Sequence, residues 1–174
     1  MRSIFLHIIL ACLLLTAGCV NDNSFAGNNE QNLKIGVIGQ PPVVNENIDF
    51  IETTLESLIN ASDTEFHALF IMPECLEEAS KPQFARLYKS LKYPVFFIGS
   101  TKSYYPFIEE SLTYSTAPST SSGMFATGFI NEDGQYKIFE YGLENDEKTE
   151  KNLKLMYTNI FKTISNEFIS KKTN

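Results

Sequence analysis

Short apolar segments alternate with amphipathic segments over the first hundred residues, and this alternation restricts the folds that the chain can adopt. Segments 33–39, 66–72 and 94–99 are mostly apolar and have the length of a single strand. Such runs are typical of strands that are buried on both faces of a parallel sheet. Because parallel strands are joined by crossover connections, usually helices, the sequence predicts a β-α-β-α-β core.

Two amphipathic helices are predicted between these strands. The first has apolar residues at helical spacing: Ile51, Leu55, Leu58 and Ile59. Asp49 and Glu52 have the spacing of a capping box, which predicts that this helix begins near Asp49. The second helix is predicted from Ser80 as its cap, Pro82 in its first turn and Gln83 reaching back. Its apolar face comprises Phe84, Leu87, Tyr88 and Leu91.

The second half of the chain is predicted to add a β-hairpin and a final helix. Strands are expected over 124–130 and 136–141, and the Asp133-Gly134 pair between them favours a tight antiparallel turn. A short helix is expected near 107–112. The long C-terminal helix is predicted from a single apolar face: Leu153, Met156, Tyr157, Ile160, Ile164 and Phe168.

The N-terminus has the pattern of a secretory signal. Arg2 gives a positive start, and 4–15 is an apolar run of signal length that is too short to cross a bilayer comfortably. Residues 15–19 follow with the sequence LTAGC, which resembles the lipobox of bacterial lipoproteins. The resemblance implies a diacylglycerol on the Cys19 thiol and cleavage just before that residue. Thr16 departs from the family pattern, which prefers leucine there.

This resemblance divides the chain into three parts. A signal peptide is expected over 1–18, and a lipidated cysteine with a flexible, polar tether over 19–32. Residues 33–174 are expected to form one three-layer α/β/α domain, a parallel core followed by the hairpin and the C-terminal helix. The lipid, palmitate for example, would hold the protein on the extracytoplasmic face of the cell membrane. With segments 34–42 and 93–100, the chain resembles small lipoproteins of uncharacterised function from Gram-positive bacilli.

Charge narrows the range of partners. The net charge of −7 becomes −8 when Arg2 is removed with the signal peptide. An acidic domain is repelled by phosphate backbones and by anionic lipid headgroups, so no nucleic acid is expected as a partner. Attachment to the membrane is therefore expected to come from the lipid on Cys19 and not from a basic surface.

Few side chains suit catalysis or cofactor binding. Cys75 is the one cysteine and His67 the one histidine of the predicted domain, so neither a disulfide nor a His/Cys metal cluster is expected. His67 lies inside an apolar strand and is interpreted as a hydrogen-bonded structural residue. Gly36 and Gly39 lack the full G-x-G-x-x-G pattern of dinucleotide binding. The sequence predicts no metal, no cofactor and no catalytic residue.

The element order β-α-β-α-β-α-β-β-α leaves a thioredoxin-like fold as an alternative. In that family a reactive cysteine follows a strand, as Cys75 does, and Pro118 could occupy the family's proline position. The pairing requires a mixed sheet with the fourth strand antiparallel beside the third. However, residues 75–78 read CLEE, so the C-x-x-C is missing, and Glu77 and Glu78 oppose thiolate formation. Cys75 is therefore interpreted as a partly buried structural thiol.

A ligand is expected at one edge of the sheet. In an open parallel sheet, ligands bind beyond the carboxyl ends of the strands. Gln40, Glu74, Ser100 and Lys102 follow the three predicted parallel strands, with the Tyr104-Tyr105 pair close behind. This mixture of amide, carboxylate, hydroxyl and ammonium groups suits a small polar ligand better than it suits catalysis.

The leading hypothesis is a non-enzymatic, lipid-anchored domain that binds a small polar ligand or a protein partner. It follows from the lipobox and from the lack of a recognisable set of reactive residues. The first alternative is a degenerate thioredoxin-like protein in envelope redox chemistry or protein quality control. The second is a hydrolase whose polar residues converge only in the folded chain.

Overall fold

The computed structural model describes residues 32–60, 66–120 and 123–169. The predicted signal peptide, the lipobox with Cys19 and residues 20–31 of the predicted tether lie outside these ranges. None of the helices within the described ranges is long and apolar enough to cross a membrane.

A mixed sheet of six strands lies at the centre of the described residues. The strands are β1 (Leu33–Ile38), β2 (Ile48–Glu52), β3 (Ala68–Ile71), β4 (Val95–Ile98), β5 (Met124–Glu132) and β6 (Gln135–Gly142). Their order across the sheet is β2-β1-β3-β4-β5-β6. Neighbours from β2 to β4 are parallel, whereas β5 is antiparallel to both β4 and β6.

Helices cover both faces of this sheet. They are α1 (Leu55–Asn60), α2 (Leu76–Ala79), α3 (Pro82–Ser90) and α4 (Glu150–Ile164). The first three pack against one face and α4 packs against the other, which gives two apolar clusters separated by the sheet. The predicted α/β class and its three layers are therefore confirmed, and β3 and β4 are buried at every position as expected.

Residues 48–52 form the edge strand β2, so the prediction that a helix begins near Asp49 is wrong. β2 pairs in parallel with β1. Its Phe50 is half-buried, with its ring centroid 6.4 Å from those of both Phe70 and Phe161, whereas Asp49 is exposed. Successive side chains of a strand point to opposite faces. The half-buried Phe50 beside the exposed Asp49 follows this alternation, so the segment forms a strand and not the start of a helix.

The helix α1 begins later than predicted, at Leu55. The Ser57 amide donates to Thr54 Oγ1 and the Thr54 amide donates to Ser57 Oγ, each over 3.1 Å. This reciprocal pair satisfies two backbone amides at the helix start. Of the predicted apolar face, Ile51 lies in β2 and Ile59 is exposed.

Pro82 opens α3 as predicted, but Ser80 is not its cap. Lys81 occupies the position before the helix, and its side chain makes no capping bond. The Ser80 hydroxyl donates to the carbonyl of Glu77 in α2 over 2.8 Å and accepts from the Tyr114 amide over 2.7 Å. Ser80 therefore ties the later loop at Tyr114 to the end of α2.

A 3-10 turn over Tyr105–Phe107 replaces the short helix predicted near 107–112. Pro106 lies in the first positions of this turn. Phe107 is fully buried, and its ring stacks on that of Phe97 in β4 with the centroids 3.5 Å apart. The turn thus anchors the loop between β4 and β5 to the core.

The β-hairpin and the C-terminal helix are confirmed. Asp133 and Gly134 have φ values of 52° and 90°, as a two-residue hairpin turn requires. In α4, Ile160 and Ile164 are fully buried against the sheet. Phe168 lies beyond the end of α4 and still packs on the hairpin.

Candidate functional site

The carboxyl ends of β1, β3 and β4 meet at one edge of the sheet, which we call the carboxyl edge. Gln40 follows β1 and Glu74 follows β3, and the two are in contact. The backbone amide of Gln40 donates to Glu74 Oε1 over 2.6 Å. Between β1 and Gln40, Gly39 has a φ of 103°, and a side chain there would collide with the Glu74 carboxylate. Both side chains are exposed, so this half of the predicted ligand edge is open to solvent.

Ser100 and Lys102, which follow β4, form a second pair at this edge. The Ser100 side chain is fully buried. Its hydroxyl donates to the Lys102 carbonyl over 2.8 Å and accepts from the Lys102 amide over 3.2 Å. Both hydrogen bonds of this hydroxyl are made within its own turn, to the backbone of Lys102.

The Lys102 ammonium is directed at backbone oxygens of the same loop. It donates to the carbonyl of Ala117 and, over 3.4 Å, to that of Ser115. It also lies 5.2 Å from the centroid of the Tyr114 ring. An ammonium group has three N–H donors, so one remains for a further acceptor. Lys102 chiefly closes the loop between β4 and β5.

The ends of β3 and β4 are closely packed between these two pairs. Gly99 has a φ of 73°, and a Cβ there would lie 2.6 Å from Cγ of Pro73. The structure thus joins Gln40 to Glu74 and Ser100 to Lys102, and Pro73 packs against Gly99 between the two pairs. An open depression lies elsewhere, at the start of α4, lined by Thr149, Glu150, Lys151 and Lys154.

The Cys75 thiol is half-buried beside the carboxyl edge and forms no disulfide. Burial raises its pKa, and the carboxylates of Glu74 and Glu78 raise it further. The predicted partial burial of Cys75 is confirmed. The raised pKa agrees with the interpretation of a structural thiol, since a reactive thiol needs a lowered pKa. The pairing named for the thioredoxin-like alternative is present, because β5 runs antiparallel beside β4. The raised pKa of Cys75 does not favour the thiolate that this alternative requires.

His67, which lies immediately before β3, is hydrogen-bonded to Lys34 in β1. The Lys34 amide donates to His67 Nδ1 over 2.9 Å, and the His67 amide donates to the Lys34 carbonyl over 2.8 Å. The prediction of a hydrogen-bonded structural histidine is confirmed. Within the described ranges, no group of three or more His, Cys, Asp or Glu side chains is arranged to hold a metal ion.

An exposed aromatic surface lies over the hairpin, away from the carboxyl edge, and sequence reasoning missed it. The rings of Tyr104 and Tyr105 stack with centroids 4.6 Å apart, and Tyr104 lies 6.2 Å from Tyr136 of β6. Ile138 shares the face of Tyr136, two positions along the strand. Tyr105 is 50% exposed and Ile138 is 40% exposed. We call Tyr104, Tyr105, Tyr136 and Ile138 the tyrosine patch.

Glu109 lies beside the tyrosine patch, because its backbone amide donates to the Tyr105 carbonyl over 2.9 Å. The pKa of Tyr104 is raised to about 12, first by a side-chain hydrogen bond to Tyr105, then by burial and nearby groups that include Glu109. Burial raises the pKa of Tyr136, and Glu109 raises it further. Both phenols are therefore neutral at physiological pH, beside one carboxylate.

The adjacent tyrosines at 104–105 were the visible signal for this surface in the sequence. Their position after β4 suggested the carboxyl edge, but Tyr104 packs on Phe129, with the centroids 6.0 Å apart. Phe129 pairs with Val95, the first residue of β4, so the patch lies towards the opposite edge of the parallel strands. Only the fold brings Tyr136 to this place.

No protein-family model matches the chain, and no curated protein or solved structure matches it either.

Proposed function

We propose that the chain is a lipoprotein, held on the extracytoplasmic face of the cell membrane by lipid on Cys19, whose α/β domain binds a ligand or partner without catalysing a reaction. The observation that carries the anchor is the sequence LTAGC at 15–19 after an apolar run of signal length. Two acyl chains on one cysteine suffice for stable anchoring, whereas a single chain is marginal.

Lipidation is tested by membrane fractionation and by the intact mass of the purified protein. A chain that begins at Cys19 and carries added acyl mass is the expected product. Cys19→Ser should remove the acyl mass. The chain offers two matched controls, because Cys12→Ser and Cys75→Ser each remove a thiol and should leave the acyl mass in place. A mature protein that starts elsewhere, or acyl mass that survives Cys19→Ser, contradicts the proposal.

The carboxyl edge supports a binding role through the exposed side chains of Gln40 and Glu74. Thermal-shift screening of small polar molecules is the test, repeated with Gln40→Ala, Glu74→Ala and Lys102→Ala. A ligand of this edge should lose most of its thermal shift with at least one of them. Gln135→Ala is the matched control, because it removes an exposed glutamine side chain at the hairpin turn, away from the carboxyl edge. A ligand that stabilises all three variants as strongly as the wild type binds elsewhere.

A further inference from the structure

We infer that the tyrosine patch, together with Glu109, is a docking site for a basic segment, rich in lysine or arginine, of a partner protein. The inference deepens the binding role proposed above, because it names a surface and the chemistry of its partner. It does not depend on the lipid anchor, and its test differs from that of lipidation.

The patch is held in place by buried aromatic side chains. Tyr105 begins the 3-10 turn whose Phe107 stacks on Phe97 in the core. Tyr104 packs on Phe129, and Phe129 packs edge-on against Tyr136 with the centroids 5.6 Å apart. A surface that is already ordered loses little conformational entropy on binding.

Among the described residues, no lysine or arginine lies over an aromatic face of the patch. Lysines of the described residues lie over other rings: Lys102 over Tyr114, Lys137 over Phe139 and Phe168, and Lys148 over Phe125. Tyrosine rings attract an ammonium or guanidinium group within about 6 Å of the ring centroid. The half-exposed ring of Tyr105 is therefore suited to a cation that comes from outside the domain.

The negative charge at and around the tyrosine patch favours a basic partner. Glu109 is exposed, and the ion pairs found among the described residues do not involve it. The adjacent Glu110 is paired with Arg86 over 3.3 Å. A lysine or arginine side chain on the patch would thus meet both an aromatic face and an unpaired carboxylate. The acidic net charge of the whole chain, −7, adds long-range attraction for a basic segment and repels anionic lipid.

The test is a fluorescence-anisotropy titration of the purified full chain with a labelled peptide of alternating lysine and glycine. A peptide of alternating glutamate and glycine is the matched negative probe. We expect the basic peptide alone to bind. Tyr105→Ala and Glu109→Gln should each weaken it about two- to five-fold, in line with exposed cation–π and ion-pair contacts.

Two further variants separate the patch from general charge and folding effects. Tyr105→Phe keeps the ring face and should bind like the wild type. Glu56→Gln on α1 removes the same charge at a position outside the patch and should leave the affinity unchanged. The inference is overturned if the basic peptide does not bind, or if Tyr105→Ala and Glu109→Gln leave its affinity unchanged. It is also overturned if phosphatidylcholine vesicles or a neutral oligosaccharide bind in a Tyr105-dependent way and the peptide does not.

Discussion

Glu74 illustrates how one side chain at the carboxyl edge affects several neighbours. It accepts the hydrogen bond of the Gln40 amide and so fixes the turn after β1. Its charge also contributes to the raised pKa values of Cys75 and Tyr157. At the scale of single residues, the edge combines loop closure with an electrostatic field that disfavours further negative charge.

The Cys75 thiol should therefore react slowly. Its alkylation by iodoacetamide, followed by mass spectrometry across pH, should be half-maximal above the ordinary thiol value of about 8.5. Glu78→Gln removes one nearby negative charge and should lower the pKa of Cys75, so the reaction becomes faster at a given pH. Glu110→Gln is the control and should have no effect, because Glu110 is not among the carboxylates that raise the pKa of Cys75. A thiol that titrates well below its ordinary value would favour the thioredoxin-like alternative.

Tyr157 should make stability depend on alkaline pH. Its burial, with a smaller contribution from Glu74, raises its pKa to about 12, whereas the unfolded chain ionises near 10. The contribution is fully present below about pH 10 and is lost as the pH rises towards 12, because only the unfolded state releases the proton.

Urea unfolding between pH 8 and pH 11 checks this expectation. Tyr157→Phe removes the titrating hydroxyl and should make the alkaline loss of stability shallower than in the wild type. Phe161→Leu, one turn further along α4, should lower stability by a similar amount at every pH. Parallel alkaline slopes for the wild type and Tyr157→Phe would rule out the titration of this phenol as a cause.

Among the secondary-structure elements, α4 has the clearest role, since it supplies most of the helical cover on its face of the sheet. Ile160 and Ile164 are fully buried there, and Leu155 is 48% exposed. Replacing either isoleucine with alanine should cost about 2–5 kcal/mol of unfolding free energy. Leu155→Ala should change stability by no more than about 0.5 kcal/mol. Thermal melts that are alike for all three variants would show that α4 is not docked.

The elements that the sequence predicted well are those with a continuous pattern. β3 and β4 were recognised from apolar runs, and α4 from its long apolar face at helical spacing. The hairpin was recognised from the turn residues Asp133 and Gly134. β2 was missed because Ile51 also fits the helical spacing of Leu55 and Leu58. Its pairing with β1 and the contacts of Phe50 decided in favour of a strand.

The candidate sites were harder to predict, because they depend on contacts between segments and not on a continuous pattern. Parallel strands have their carboxyl ends at the same edge of a sheet, so Gln40 and Glu74 could be expected at one edge. Their direct contact could not, because it depends on β1 and β3 being neighbours, and the sequence does not give the strand order. The burial of Ser100 could not, because it depends on how the loop after β4 folds back through Lys102. The tyrosine patch combines two distant segments, and no periodicity in the sequence links them.

At the scale of the whole molecule, the acidic net charge disfavours direct contact between the domain and an anionic membrane. The chain from residue 19 onwards carries a net charge of −8, because Arg2 is the one formal charge before it. Produced without lipid, this mature chain should not sediment with vesicles that contain anionic phospholipid, even at low salt. Sedimentation that decreases as salt is added would reveal a basic surface and contradict this expectation. Vesicles of neutral lipid serve as the reference.

The first strand of the described domain, β1, begins at Leu33. Under the proposed anchoring, the chain from Cys19 to Leu33 spans at most roughly 50 Å when fully extended. The domain would then share a thin layer with its membrane neighbours, at an effective concentration on the order of millimolar. A basic segment displayed on the same membrane would need only weak affinity to remain associated, whereas a freely diffusing partner would need a far tighter contact.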